Sequence, residues 1–277
     1  MQQVEFKPLG RYVSCLGFGC ARLDGRAGLR RSAQLLETAL ELGITYFDVA
    51  ASYGTAEQAV GHVLGASSDV VVATKVGPPE QPYRAARMRL KTALRPLLDR
   101  MRGLKVLLRN ATTRRPQASG SRPRYDFSRE RIEQSLEMSR KRLRRDFIDV
   151  FLAHEPHRVD LSAETESHFQ SLVDTGLVGA YGVGVAVPED QWAAFGSIWQ
   201  SGWPGQRISE YVFRDDTTRI FHGVLRCAEQ GRISGPAKSP AELIRAARRA
   251  APDSVLLVSA STPDRLRQLV EAAEVAI

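Results

Sequence analysis

Cysteine is scarce in this chain, with three residues, Cys15, Cys20 and Cys227, among 277. An odd number at unrelated spacings builds neither a disulfide framework nor a thiolate metal site. Reduced thiols and a cytoplasmic setting are therefore expected. Long apolar runs are missing as well. No stretch approaches the roughly 18 residues of a membrane span, and Met1 to Lys7 holds no signal-peptide core. Histidine is limited to five positions. His154 and His157 lie close together, but the further His and Asp ligands that a barrel metallohydrolase carries at its strand ends are not evident, so no metal is expected.

Acidic residues are nearly absent from one segment. Residues 84 to 124 contain thirteen Arg or Lys against the single acid Asp99, a local charge of +12 that leaves −4 for the rest of a chain whose net charge is +8. No nucleic-acid motif accompanies this charge, so a solvated helix and loop is the expectation and nucleic acid is not an expected partner. A polyanion-binding module is the reading that the segment alone would support. Its second half, Thr112 to Arg124, is rich in Pro, Gly and Ser and is expected to form a mobile loop.

The composition, 43% hydrophobic and 25% charged, is that of a globular chain. Apolar runs alternate with helical patterns. Candidate strands are Tyr12 to Phe18, Ile44 to Val49, Val70 to Lys75, Phe147 to Ala153, Val178 to Val185, Arg207 to Val212 and Ser254 to Ser259, with a weak one near Gly231 to Gly235. Between them, Ser32 to Leu42 and Arg129 to Leu143 repeat apolar residues at i, i+3 and i+4. Such alternation predicts an α/β fold with a parallel sheet. The strand count predicts a (β/α)8 TIM barrel, one domain over 1–277, with an irregular seventh strand and a basic insertion, 77–127, between strands three and four.

In such a barrel, four polar residues just past apolar runs gather at one mouth: Asp48, Tyr53, Lys75 and His154. A lysine beside a tyrosine favours the phenolate and lowers the phenol's pKa, which suits proton donation to a carbonyl oxygen. Singly, each has a bland role: Asp48 and Lys75 as a buried ion pair, Tyr53 as a loop aromatic.

The run from Gly43 to Gly54 (Gly-Ile-Thr-Tyr-Phe-Asp-Val-Ala-Ala-Ser-Tyr-Gly), with Glu57 and Gly61, resembles the aldo-keto reductase signature, as of a divergent bacterial-type member. Thr74-Lys75, the segment Ser135 to Pro156 and the opening Leu16-Gly17-Phe18-Gly19 extend the likeness in the same order. The resemblance implies an NADPH-dependent oxidoreductase that reduces an aldehyde or ketone, or oxidises the alcohol. Tyr53 would be the proton donor, Lys75 and Asp48 its supporting pair, and His154 the residue that orients the carbonyl. It implies an NADP dinucleotide lying across the barrel mouth, in keeping with the absence of a G-x-G-x-x-G run. Gly19 and Cys20 would lie near the pyrophosphate and ring, and Tyr211 would stack on the nicotinamide. The stretch Ser259 to Gln268 resembles the last cofactor motif, although Ser259 replaces its usual Lys or Gly and Leu269 its usual asparagine; Ser259, Ser261, Arg265 and Gln268 would be its contacts, with Arg265 at the 2′-phosphate, where a guanidinium fork suits the anion.

Departures from the family pattern fall on cofactor contacts. Gly184-Val185 stands where Ser-Asn usually holds the carboxamide, and the glutamine expected three residues before the stacking tyrosine falls on Ile208. This motivates a second reading: the same fold running dehydration, isomerisation or cyclisation with Tyr53, Lys75 and His154 as acid and base, for instance in a biosynthetic pathway.

Overall fold

The computed structural model describes residues 1–23, 28–79, 124–187, 195–229 and 239–274. An antiparallel hairpin comes first, β1 (Gln3–Phe6) and β2 (Arg11–Ser14). Eight parallel strands then close a barrel: β3 (Leu16–Gly19), β4 (Tyr46–Asp48), β5 (Val71–Val76), β6 (Ile148–His154), β7 (Val178–Val185), β8 (Ile198–Gly202), β9 (Thr218–His222) and β10 (Val255–Val258). They follow chain order around the barrel, and β10 pairs with β3 to complete it. The hairpin covers the barrel's N-terminal end, where the Phe6 ring packs on Tyr46, the first residue of β4, at 5.6 Å.

The helices follow the periodicity of the sequence. In α1 (Leu29–Glu41) Leu35, Leu36 and Ala39 form the buried stripe; α2 is Ala56–Leu64. Helix α3 (Arg129–Leu143) buries Ile132, Leu136, Ser139 and Leu143, and starts where the Ser128 side chain accepts from the Arg131 N–H at 3.4 Å. Ser162 caps α4 (Ala163–Asp174) in the same way. After the short α5 (Val224–Glu229), α6 (Pro240–Ala250) opens with a reciprocal capping box between Ser239 and Glu242 and with proline at its first turn. The last helix, α7, is Pro263–Glu274.

Six of the eight barrel strands lie where apolar runs predict them. The run from Tyr12 to Phe18 is divided between β2 and β3, because the chain turns at Cys15 from the hairpin into the barrel. Two strands are corrected. Arg207 to Val212 is no strand: residues Gly205–Glu210 form a 3-10 helix, and Val212 is 85% exposed. The sixth and seventh barrel strands are instead β8 and β9, each regularly paired on both sides, so the wall is not irregular at strand seven. The weak strand near Gly231 to Gly235, the predicted helix from Arg84 to Arg102, the loop before Arg124 and most of the basic segment lie outside the described residues.

Candidate active site

Parallel strands put their C-terminal ends on one face, and in a barrel of this class the loops there carry the chemistry. Asp48 ends β4, Lys75 is the penultimate residue of β5 and His154 ends β6. Tyr53 lies in the β4–α2 loop, its N–H donating to Ala50 O at 2.9 Å. The four predicted residues meet in one cavity of about 170 Å³, which Gly19, Gly184, Gln200, His222, Arg226 and Ser259 also line.

Lys75 donates to Asp48 Oδ1 at 2.6 Å and to the Val49 carbonyl at 2.9 Å, and its side chain is 1% exposed against 6% for the aspartate. Its Nζ stands 5.2 Å from the Tyr53 ring centroid. The Tyr53 and His154 rings meet edge to face at 6.0 Å. Behind the pair, the buried Glu57 of α2 accepts from Thr74, next to Lys75, at 2.7 Å and from Arg142 of α3 at 3.2 Å. This network fixes β5 against two helices and so fixes the lysine.

Burial pushes the Tyr53 phenol above its ordinary range; the Lys75 charge pulls it down, but not by enough to offset burial. The expected lowering is thus present as a contribution and outweighed in the balance, because Asp48 already neutralises the lysine. Tyr53 is a protonated phenol at neutral pH. For Lys75, burial favours the neutral amine, yet the Asp48 carboxylate wins and raises its pKa. The pair is ionic.

His154 is the opposite case. Burial, then the charges of Lys75 and His222, lower its pKa from 6.5 to about 3, and its Nδ1 is sealed without a hydrogen-bond partner. A folded-state pKa below the unfolded value means that the unfolded chain binds the proton better. The stability at stake is whole above about pH 6.5 and drains as pH falls toward 3. We expect the urea midpoint to fall between pH 7 and pH 5, and the His154→Asn variant to lose less over that interval; equal losses would contradict a neutral, buried imidazole.

Of the expected cofactor residues, Gly19 and Ser259 face each other, the Ser259 hydroxyl donating to Gly19 O at 2.8 Å. Arg265 and Gln268 lie in the first turns of α7, bonded to each other at 3.1 Å, and the neighbouring Ser261 carbonyl accepts from Arg31 at 2.9 Å. Cys20 is fully buried, Sγ 3.6 Å from Phe18 O, and burial raises its thiol pKa well above the usual range. Tyr211 requires correction. It follows the 3-10 helix rather than a strand, and packs on Trp199 at 5.8 Å and Phe213 at 6.4 Å. Side chains alternate along β8, so Trp199 faces away from the barrel interior while Gln200 faces in.

Sequence reading missed Gln200, His222 and Arg226. With β8 located, glutamine stands three residues before an aromatic, Trp203, which was the spacing sought around Tyr211. Gln200 is 3% exposed and its Oε1 has no partner. His222 Nε2 lies 3.0 Å from Val185 O; since a carbonyl only accepts, Nε2 carries the proton. Burial lowers the His222 pKa, against the Val185 bond and the Asp48 charge, which raise it. A β-carbon at Gly184 would touch the Lys75 methylenes at 3.4 Å.

A closed parallel eight-stranded barrel with its polar cluster at the C-terminal mouth defines an α/β-barrel protein. The chain belongs to the aldo/keto reductase family, whose family profile matches residues 15–194. It is 28% identical over 200 residues to the D-threo-aldose 1-dehydrogenase of a Pseudomonas species, a match covering 65% of this chain and 52% of that protein. The chain spans about half the length of the curated relatives it matches. Solved structures share the fold at low identity. The holo form of the aldo-keto reductase AKR11C1 from Bacillus halodurans superposes with a TM-score of 0.66 at 20% identity, covering 99% of this chain and 90% of that one. The glycerol dehydrogenase AKR11B4 from Gluconobacter oxydans gives 0.68 at 16% identity, covering 99% and 93%. No helix among the described residues is long and apolar enough to cross a membrane.

Proposed function

We propose that the chain is an NADPH-dependent oxidoreductase that reduces a small aldehyde or ketone, or oxidises the corresponding alcohol, with Tyr53 as proton donor. The observation that carries this is the Lys75–Asp48 ion pair at 2.6 Å beneath a Tyr53 ring that also meets His154. A reduced nicotinamide, when bound, supplies the hydride. Tyr53 gives its phenolic proton to the oxygen that becomes the alcohol, and the Lys75 ammonium stabilises the phenolate left behind. Neutral His154 offers an uncharged polar contact to the same oxygen and does not compete as an acid.

The residues present fit a nicotinamide better than the aligned motif alone indicates. Gln200 presents a buried acceptor without a partner at the cavity wall, and such an atom costs about 1–3 kcal/mol until something donates to it. A carboxamide NH2 is a suitable donor. Trp203 stands at the spacing expected of a stacking aromatic. These features recover part of what Gly184-Val185 lacks, which favours the redox reading over the acid/base alternative.

Arg265 would read the 2′-phosphate. Titrating tryptophan fluorescence with NADPH and NADH tests both the cofactor and its form. The expected result is tighter NADPH binding in the wild type, and in Arg265→Ala a loss for NADPH of about 10–100-fold with little change for NADH. No binding of either dinucleotide would refute the redox reading. Equal losses for both would remove the arginine from the 2′-phosphate.

A further inference from the structure

We propose that Arg226 holds an anionic group of the substrate, so that the cavity selects carbonyl compounds bearing a carboxylate or phosphate a few bonds from the reacting carbon. The inference rests on the reductase reading of the same cavity. It starts from a charge imbalance in the lining. Lys75 is matched by Asp48 at 2.6 Å, and the other acid on the wall, Glu155, has an interaction of its own. His154 and His222 are held toward their neutral forms by burial. Arg226 remains. Its backbone N–H donates to Gly223 O at 2.9 Å, and its guanidinium has no ion-pair partner among the described residues.

The guanidinium is also placed to act. It lines the same cavity as the Tyr53 phenol, at the lip formed by the β9–α5 connection, where Gly223 turns with φ 74°. Its charge is felt by His222 next to it, whose protonation it disfavours. Tyr53 and Arg226 line one cavity of about 170 Å³, so a small molecule bound at the phenol can bring its far end to a cation with five N–H donors. A carboxylate or phosphate accepts two of them in parallel; an amide or hydroxyl end does not. Gln200 Oε1 and His154 Nδ1, both buried and without partners, are further polar atoms that an occupant of this cavity would meet.

The dinucleotide's own phosphates are the competing occupant, because β9 lies between β8, which leads to Trp203, and β10, which leads to Ser259. The test therefore has three arms. Reduction of 4-oxobutanoate and of its neutral amide is compared in the wild type, Arg226→Met and Arg226→Lys; NADPH affinity is measured in each; and binding of succinate and succinamide is measured without cofactor by calorimetry. We expect a preference for the acid in kcat/KM of at least tenfold. Methionine should abolish it through KM for the acid, and lysine should keep part of it. Succinate should bind the wild type and not Arg226→Met. Equal use of the two aldehydes, or a loss in Arg226→Met that follows NADPH affinity, overturns the assignment while the reductase reading stands. Succinate binding that needs Arg226, with no aldehyde reduced, keeps the anion site and refutes the reductase reading. The absence of both succinate binding and turnover of the acid overturns the anion site outright.

Discussion

Replacing Tyr53 with phenylalanine is expected to lower turnover by about 10²–10⁴-fold, the usual worth of a positioned general acid, while NADPH binding and thermal stability stay near wild type. The phenol is half-buried and its ring contacts Lys75 at 5.2 Å and His154 at 6.0 Å, so phenylalanine keeps the ring packing. What is lost is the hydroxyl, with its proton and its hydrogen bond to Lys75. Steady-state kinetics at saturating cofactor, alongside a fluorescence titration, separates the two effects. Turnover within threefold of wild type would remove Tyr53 from the chemistry; a large loss of cofactor affinity would mean that the ring, not the proton, had been the contribution.

Lys75→Met should be the most damaging single change. It strips the partner from Asp48, which is buried and whose oxygen accepts from the lysine at 2.6 Å, and a buried ion left unpaired costs about 3–5 kcal/mol. It also removes the charge that opposes burial at Tyr53, so the phenol becomes a still weaker acid. Stability and turnover should therefore fall together. The double variant with Asp48→Asn separates them: neutralising the orphaned carboxylate should recover much of the urea midpoint and none of the turnover. Recovery of activity in the double variant would mean that the ion pair is only a strut.

The contrast between the pair and its surroundings explains what the sequence could and could not reveal. Strands β5, β6 and β7 are buried on both faces and so read as unbroken apolar runs, which is how Lys75 and His154 were located at their ends. Strand β8, Ile-Trp-Gln-Ser-Gly, has Gln200 and Gly202 at two of its three inward positions, and β9, Thr-Arg-Ile-Phe-His, ends in His222. A strand whose inner face serves a site carries polar and small residues where a core strand carries valine, and loses its hydrophobic signal. Arg207 to Val212 failed in the other direction. Its mixed apolar and polar residues imitate a half-buried strand, but it follows Trp203-Pro204-Gly205 and coils into a 3-10 turn instead.

A sixth strand at Arg207 would put Tyr211 on the nicotinamide and Ile208 in the glutamine's place, leaving the implied carboxamide site without a side-chain partner. With β8 at Ile198–Gly202, Gln200 takes that place by spacing, and its partnerless Oε1 supports the same position on geometric grounds. Gly184-Val185 remains a departure from the family pattern, and His222 reaches past Gly202 to the Val185 carbonyl at 3.0 Å.

Deuteride transfer tests the central claim most directly. The protein is mixed with NADPH carrying deuterium at both C4 positions and a panel of small neutral and anionic aldehydes, and the alcohols are read by mass spectrometry. The account predicts an alcohol carrying one deuterium on the carbinol carbon, formed by the wild type and not by Tyr53→Phe. A panel returned unreduced by protein saturated with the cofactor, or an alcohol without deuterium, would contradict it.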